Sequence, residues 1–300
     1  GDRTMEYVLG TVQFGMEYGI QGAHRLSREL IYSIIDRAIE HGITVFDTAS
    51  LYGDAEKILG EYLIQREDDG IHIKIVSKLA SNVFDGCPKE QWKQIAIENI
   101  SASLSRLNLT KLEAFLFHNA SYIFDKDAVK ALYSTVEKGL AYKVGVSVYT
   151  PQEALKALEY DEIGVIQIPY NLFDHRLDKC GFFERAREKK VKVYARSSLL
   201  QGLIMMDPDK LPARVRFAEK YIRTLRGICE EYNITPLEAA VSYAANHKGI
   251  DFIIFGVDSI EQLSGYIDMK SRPISAELEE RLSAEFRDVE DKLVNPTLWR

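Results

Sequence analysis

The stretch VFDTASLYG, residues 45–53, decides how the rest of the chain is interpreted. A short apolar strand ends there on Asp47, a tight polar turn follows, and Tyr52 precedes Gly53 and the helix-like segment DAEKILGEYLIQ. An aspartate directly after an apolar strand is either buried and paired or caps the next turn. The stretch therefore indicates an acid and a phenol at a strand end, with capping and packing as the alternative to chemistry.

Short runs rich in Val, Ile and Phe alternate with longer amphipathic segments along the chain, which is typical of repeated βα units. Eight runs read as strands, at residues 7–10, 44–47, 73–78, 114–118, 143–147, 165–169, 192–196 and 252–255. Helical spacing predicts helices at residues 27–41, 54–66, 89–107, 127–139, 151–159, 179–189, 212–232, 235–247, 260–268 and 275–293. This order predicts an α/β fold, a closed (β/α)8 TIM barrel with extra C-terminal helices. The absence of a GxGxxG sequence after the first strand disfavours an open dinucleotide-binding sheet.

Composition limits the classes of partner. The 300 residues carry a net charge of −7 with the basic residues dispersed, which argues against nucleic acid as the main partner and favours a small molecule. No apolar run approaches the roughly 20 residues of a membrane span, and the polar start does not resemble a signal peptide. Three widely separated cysteines predict neither a disulfide framework nor a zinc site, so we expect a cytoplasmic protein without a metal. The absence of a linker-like segment predicts one domain, residues 1–300.

Four titratable residues fall at the ends of three consecutive predicted strands: Asp47, Tyr52, Lys78 and His118. Each alone has a structural explanation, because the aspartate can cap a turn, the tyrosine can pack, the lysine can be solvated and the histidine can lie at the core edge. A barrel brings its strand ends to one mouth, where barrel enzymes hold their active sites. Their arrival at one rim therefore predicts a catalytic cluster.

The chemistry of this cluster suits proton transfer to a carbonyl oxygen. A tyrosine with a pKa of about 10 is protonated near neutrality, and a neighbouring ammonium lowers that pKa by stabilising the phenolate. We expect Asp47 to pair with Lys78, Tyr52 to act as the acid and His118 to orient the carbonyl. None of these groups delivers a hydride, so reduction requires a bound cofactor.

The chain resembles the aldo-keto reductases. Matching segments occur in the family's order over nearly the whole sequence: LGTVQFG, FDTASLYGDAEKILG, SKL, FHN, GVS, QIPYN and FGVDSIEQL. The resemblance implies that Tyr52 is the general acid, that Lys78 and Asp47 tune it, that His118 orients the substrate, and that NADP or NAD lies across the barrel mouth. The implied cofactor contacts are Gly10, Thr11, Asp47, Ser147, Gln167, Arg196, Ser197, Leu199, Gly202, Gly256, Asp258, Ser259 and Gln262.

Three departures from the family pattern affect the expected cofactor site. Val148 stands where the family has an Asn, and Arg196 replaces an aromatic ring that stacks on the nicotinamide. The guanidinium can stack on that ring, at a cost for the positive oxidised form, or it can face a substrate carboxylate or phosphate. Asp258 occupies the basic position of NADP-preferring members, which predicts a weakened NADP preference or NAD use. The alternative for Asp258 is a helix cap, and the alternative for Gln167 is a buried amide satisfied inside the barrel.

The leading functional hypothesis is an NAD(P)-dependent oxidoreductase that reduces an aldehyde or ketone. The opening LGTVQFGMEYGIQG resembles members associated with carbohydrate metabolism, which favours a sugar or sugar-derived carbonyl. Two alternatives stay open: a non-catalytic, cofactor-sensing barrel protein, and an aldolase with Lys78 as a Schiff base. Residues in the loops are candidates for the substrate pocket: Phe14, Tyr18, Asn82, Phe84, Asn119, Tyr122, Tyr170, Arg214 and Arg216.

Overall fold

The eight predicted strands form a closed parallel barrel in a computed structural model that describes residues 5–16, 25–196, 200–269 and 272–299. Neighbouring strands pair in chain order, and β1 closes the barrel against β8. The strands are β1 (Glu6–Gly10), β2 (Val45–Asp47), β3 (Lys74–Lys78), β4 (Leu112–Phe117), β5 (Ala141–Ser147), β6 (Ile163–Pro169), β7 (Lys192–Arg196) and β8 (Phe252–Phe255). The predicted (β/α)8 barrel is thus confirmed.

Helices surround the barrel on the outside. Among the described residues they are α1 (Val12–Gly15), α2 (Arg28–Glu40), α3 (Ala55–Gln65), α4 (Trp92–Leu107), α5 (Lys126–Glu137), α6 (Pro151–Ala157), α7 (Phe182–Glu188), α8 (Glu219–Glu231), α9 (Pro236–Ala245), α10 (Ile260–Met269), α11 (Ala276–Glu285) and α12 (Asp291–Val294). No helix among these is both long and apolar enough to cross a lipid bilayer.

Local sequence signals explain where several helices begin. The hydroxyl of Thr150 accepts a hydrogen bond from the backbone N–H of Glu153. The carboxylate of Glu153 in turn accepts a hydrogen bond from the backbone N–H of Thr150. This reciprocal cap satisfies two N–H groups that the first turn of α6 leaves without partners. The predicted cap of α9 is confirmed, because Thr235 accepts from the backbone N–H of Glu238 and proline occupies the first helical turn.

The predicted C-terminal helix at residues 275–293 is wrong in its length. Helix α11 ends at Glu285, and a second short helix begins only at Asp291. Phe286 leaves the helical path and is buried edge-on against Phe173, with 4.7 Å between the ring centroids. Burying a phenyl ring is worth roughly 1.5–3 kcal/mol, which is more than the helix propensity of the few residues lost.

Two apolar clusters show where the mouth of the barrel lies. One large cluster lies between the strands and the outer helices, and a smaller one fills the barrel interior. The interior cluster consists of Val8, Val45, Val76, Ala114, Leu116, Val165, Tyr194 and Ile254. Side chains on a strand alternate between its two faces, so the residue two positions beyond an interior residue also points toward the barrel axis. The residues that face the C-terminal mouth can therefore be read from this cluster.

Candidate active site

The predicted strand-end residues form one layer directly above the interior apolar cluster. Each lies two positions beyond an interior residue on its own strand or strand extension, as Asp47 follows Val45 and Lys78 follows Val76. Ser147 stands in the same relation to Gly145, where an added Cβ would come within 1.8 Å of the carbonyl oxygen of Val165. The complete layer is Gly10, Asp47, Lys78, His118, Ser147, Gln167, Arg196 and Gly256. The fold thus brings together residues from all eight strands at its C-terminal end.

Asp47 and Lys78 form a buried ion pair. The ammonium nitrogen of Lys78 lies 2.9 and 2.8 Å from the two carboxylate oxygens of Asp47, and it also donates to the carbonyl of Thr48 at 3.0 Å. Lys78 is 2% exposed and Asp47 is 4% exposed, so the alternative of a solvated lysine at the strand end is wrong. Burial is the largest single influence and lowers the pKa of Lys78, but the charge of Asp47, the phenolate of Tyr52 and the hydrogen bonds to Asp47 together leave that pKa above its usual value. Lys78 is therefore a permanent cation.

Tyr52 lies beside this pair, half-buried at the mouth. Its ring centroid is 5.3 Å from the ammonium nitrogen of Lys78 and 5.8 Å from the centroid of the His118 ring, which it meets edge-on. Burial raises the pKa of Tyr52, and the attraction of Lys78 for the phenolate offsets this only in part, so the net shift is upward. We expected Lys78 to lower the pKa below its usual value, and burial is the reason that this does not occur. Tyr52 is consequently protonated at neutral pH.

Two glycines hold the loop that carries Tyr52. A side chain on Gly15 would come within 1.8 Å of the carbonyl oxygen of Tyr52, and Gly53 has a left-handed φ of 55° directly against Gly15. Only glycine tolerates such an approach together with a positive φ. The following helix is anchored by Glu56, which is 1% exposed and accepts a hydrogen bond from Ser77 on β3 at 2.7 Å. Tyr52 is thereby held in register with Lys78, the residue after Ser77.

His118 is neutral at the mouth. Burial lowers its pKa to about 4, and the positive charges of Lys78 and Arg196 act in the same direction. Its Nδ1 atom is buried and has no hydrogen-bond partner among the described residues. A neutral imidazole retains one donor and one acceptor nitrogen, so it can hydrogen-bond a substrate without competing for the tyrosine proton.

The depressed pKa of His118 predicts a loss of stability in acid. The unfolded chain, with a histidine pKa of about 6.5, binds the proton more tightly than the folded chain, so stability falls as the pH drops from about 6.5 toward 4. We expect this residue to account for about 2–3 kcal/mol of the loss between pH 7 and pH 4.5. Urea unfolding of the wild type and of His118→Asn at both pH values measures this loss of unfolding free energy. Equal losses in the two proteins would contradict its attribution to His118.

Gln167 connects the ion pair to the expected cofactor site. Its amide nitrogen donates to an Asp47 carboxylate oxygen at 2.6 Å, which fixes the orientation of the amide because the carboxylate requires a donor. The amide oxygen is left buried and without a partner among the described residues. Within the described residues only one end of the amide is thus hydrogen-bonded. Ser147 is buried opposite Gln167 on the neighbouring strand.

Several other predicted cofactor residues make hydrogen bonds within the protein itself. Thr11 is buried and donates both its backbone N–H and its hydroxyl to the carbonyl of Asp47, each at 3.0 Å. The hydroxyl of Ser259 accepts from the backbone N–H of Gln262, whose side chain accepts from the backbone N–H of Asp258. Ser259 is therefore the cap of α10, and the side chain of Asp258 is exposed. Gly202 has a φ of 90° with open space around its Cα, whereas Ser197 and Leu199 lie outside the described residues.

Most of the predicted pocket aromatics belong to the core. Phe84 stacks on Trp92 with 4.9 Å between centroids, Tyr122 donates to Asp85, and Tyr170 donates to Asp178. These rings are at least nine-tenths buried, as is Phe14. The amide of Asn119 accepts from Ser121 and donates to Ser81. Asn82 and Arg216 are exposed, Arg214 is exposed with a partner of its own, and Tyr18 lies outside the described residues.

Sequence reasoning missed two residues at the mouth. The ring of Tyr149 lies under the guanidinium of Arg196, 4.6 Å from its central carbon. The side chain of Gln13 packs against Gly256, where an added Cβ would approach the amide within 2.4 Å. Gln13 lies in α1 inside the matching segment LGTVQFG, and Tyr149 lies in the irregular segment that follows β5. The available sequence signals were the position of Gln13 in that segment and the adjacency of Tyr149 to Val148.

Buried polar atoms without partners concentrate at this end of the barrel. Buried polar groups in proteins are nearly always hydrogen-bonded, and exceptions gather at functional sites. Within the described part of the chain the atoms at the mouth are Gln13 Oε1, Thr48 Oγ1, Ser50 Oγ, His118 Nδ1 and Gln167 Oε1. A separate cleft of about 470 Å³ opens between the residues after β6 and the C-terminal segment, and none of the predicted catalytic residues lines it. The unpartnered atoms indicate the mouth, rather than that cleft, as the place for a ligand.

The fold and its strand-end cluster are those expected of a barrel enzyme with its site at the C-terminal mouth. A sequence model of the Aldo/keto reductase family matches residues 6–284, so the chain belongs to this family. No group of three or more His, Cys, Asp or Glu side chains arranged to hold a metal ion occurs in the part of the chain that the structure describes.

Individual relatives agree with this assignment. The uncharacterized oxidoreductase YqkF of Bacillus subtilis is 25% identical over 246 residues, covering 77% of this chain and 79% of that protein. A probable voltage-gated potassium channel subunit beta of Arabidopsis thaliana is 25% identical over 287 residues, 85% of each. The crystal structure of a putative aldo-keto reductase from Pseudomonas aeruginosa has a TM-score of 0.67 at 22% identity over 89% of both chains, which supports the fold. The family and its relatives support an oxidoreductase that acts on carbonyl groups in general.

Proposed function

We propose that this protein reduces an aldehyde or ketone to an alcohol with NADPH or NADH, and that Tyr52 is the general acid. The observation that carries the proposal is the placement of Tyr52 beside the buried Lys78–Asp47 pair and His118 at one barrel mouth. Burial raises the pKa of the tyrosine and lowers that of the histidine, which favours the neutral form of both. Tyr52 donates its proton to the carbonyl oxygen, and the ammonium of Lys78 stabilises the phenolate left behind. His118 orients the carbonyl by a hydrogen bond, and Asp47 keeps Lys78 charged and in place.

The residues at the mouth fit a nicotinamide cofactor, which supplies the hydride when bound. The amide oxygen of Gln167 is a buried acceptor without a described partner, and a carboxamide N–H is the kind of donor that satisfies it. Gln13 presents a second unpartnered acceptor beside Gly256. Gln167 and Ser147 would hold the carboxamide, while Gly256 and the first turn of α10 would face the adenosine end.

The choice between NADPH and NADH depends on Asp258. Its exposed carboxylate lies just before α10 and is not the helix cap, so it remains available to repel a 2′-phosphate. We expect Asp258→Asn to tighten NADPH binding about three- to tenfold and to change NADH binding less than about twofold, because only NADPH carries the phosphate. Fluorescence titration measures both dissociation constants.

Glu261 provides the matched control for Asp258, because it is an exposed acid in the first turn of the same helix. Glu261→Gln removes the same charge one turn away and should leave both constants close to the wild type. Equal tightening of NADPH in the two variants would show a general charge effect and contradict a specific role for Asp258.

The substrate class is the next part of the proposal. The opening sequence, residues 9–22, resembles that of members of the family associated with carbohydrate metabolism, and its residues 17–22 lie outside the described residues. The L-glyceraldehyde 3-phosphate reductase of Escherichia coli is 27% identical over 186 residues, which is 57% of this chain and 53% of that enzyme. Both similarities favour a sugar or sugar-derived carbonyl, and the site requires a small carbonyl compound as its partner.

A carbonyl panel tests the proposal directly. Purified protein should oxidise NADPH or NADH in the presence of at least one small aldehyde, ketone or open-chain sugar. Saturable cofactor binding without turnover over the whole panel would favour the cofactor-sensing alternative, to which the similarity with a channel subunit gives some support. The aldolase alternative is disfavoured because Lys78 is charged and bound to Asp47, and trapping of a substrate adduct by borohydride would revive it.

A further inference from the structure

Arg196 brings a second fixed cation to the barrel mouth. One of its terminal nitrogens donates to the carbonyl of Gln167 at 3.0 Å, and the other donates to the carbonyl of Val148. Its guanidinium also lies over the ring of Tyr149. Two carbonyls and an aromatic ring hold the group in place but carry no net charge. Among the described residues Arg196 forms no ion pair, and no carboxylate among them neutralises its charge by direct contact.

The charge of Arg196 acts on the catalytic cluster. Burial is the largest influence on the pKa values of Tyr52 and His118, and the positive charges of Lys78 and Arg196 lower both. Geometry gives the same connection, because Arg196 binds the backbone of Gln167, whose side chain binds Asp47. Asp47 neutralises Lys78 and the histidine is uncharged. The layer at the mouth therefore carries one net positive charge, which belongs to Arg196.

The two redox states of a nicotinamide differ by one positive charge. In the proposed reduction the carbonyl carbon accepts a hydride with its two electrons, Tyr52 gives a proton to the oxygen, and the neutral dihydropyridine becomes a cationic pyridinium. Hydride transfer requires the two reacting carbons to be about 3–3.5 Å apart. The new positive charge would therefore arise close to the carbonyl that Tyr52 and His118 are proposed to bind, at the mouth where Arg196 lies.

We propose that Arg196 makes this site bind the reduced cofactor in preference to the oxidised one, so that the reduced form occupies the mouth when both are present. This inference rests on the proposed function. Most members of the family have an uncharged aromatic ring at the position of Arg196. Such a ring does not repel the positive charge of the oxidised cofactor. Like charges near a protein surface repel by a few kcal/mol at most. We therefore expect the dissociation constant of the oxidised cofactor to exceed that of the reduced cofactor on the order of tenfold.

Two substitutions separate the charge of Arg196 from its packing. Arg196→Gln removes the charge and keeps hydrogen-bond donors for the two carbonyls, while Arg196→Lys keeps the charge. The dissociation constants of the oxidised and the reduced cofactor are measured by calorimetry for the wild type and both variants. We expect the ratio of oxidised to reduced constants to fall about tenfold in Arg196→Gln and to stay within about twofold of the wild type in Arg196→Lys.

Each outcome distinguishes this inference from the proposed function. A wild type that binds neither redox state would overturn both. A wild type that binds both with equal affinity would overturn the selectivity alone, without any variant having to fold. An unchanged ratio in Arg196→Gln would also overturn it. If that variant raised KM only for substrates with a carboxylate or phosphate, Arg196 would instead be a contact for a substrate anion.

Discussion

Tyr52→Phe is expected to abolish most turnover while leaving cofactor affinity and folding close to the wild type. The phenol hydroxyl is the proton source in the proposed reduction, and removal of a positioned general acid typically costs about 10²- to 10⁴-fold in rate. The ring remains against Lys78 and His118, so the packing of the mouth is preserved. Steady-state kcat with the best carbonyl of the panel measures the effect, and the affinity for the reduced cofactor is measured in parallel.

Tyr142→Phe is the matched control for this substitution. Tyr142 lies near the start of β5, at the end of the barrel opposite the mouth, and is 60% exposed. Loss of its hydroxyl should leave kcat unchanged. If Tyr52→Phe retained wild-type kcat, Tyr52 would not be the acid, and the hydroxyls of Thr48 and Ser50 or a bound water would be the next proton sources to test.

Removal of either partner of the Asp47–Lys78 pair is expected to destabilise the fold by about 3–5 kcal/mol. A single substitution, Asp47→Leu or Lys78→Met, leaves an uncompensated charge in a site that water barely reaches. The double substitution removes both charges and should recover most of the lost stability, because two apolar side chains replace the pair. Gln167 loses its acceptor in this double variant, so recovery should be incomplete.

Urea unfolding of the two single variants and the double variant measures this coupling. The double variant should remain inactive, since Tyr52 then lacks the cation that stabilises its phenolate. A surface pair, Arg281 with Glu231, supplies the control, because both side chains are about half exposed and Glu231→Gln should have a much smaller effect. A double variant as unstable as either single one would show that packing, rather than charge, is responsible.

Asp47 has a wider role in the structure than we predicted from the sequence. Its carboxylate accepts from both Lys78 and Gln167, and its backbone carbonyl accepts two bonds from Thr11. One residue thus holds the ammonium group of Lys78, the expected carboxamide site and the end of β1. This arrangement explains why the proton-transfer residues and the expected cofactor contacts can keep a fixed relative geometry, as catalysis by preorganised groups requires.

The sequence by itself determined the barrel and the strand-end residues at its mouth. Alternation of apolar runs with amphipathic segments depends on local periodicity, which each strand and helix carries within its own residues. The same period of two places Asp47, Lys78 and Gln167 above the interior once the strands are known. The pairing of Asp47 with Lys78 followed from the cost of burying either charge alone.

Tertiary structure alone decided burial, protonation and the partners of unusual residues. The pKa of Tyr52 is raised because segments distant in the chain bury it. Arg196 donates to backbone carbonyls and lies over an aromatic ring, and no sequence motif predicts these contacts. Phe84 and Tyr170 lie in predicted pocket loops, yet neighbouring aromatic rings bury them. Periodicity is a property of adjacent residues, whereas burial and charge interactions depend on which distant segments meet. The chemistry of the mouth is therefore set by contacts that the linear sequence does not encode locally.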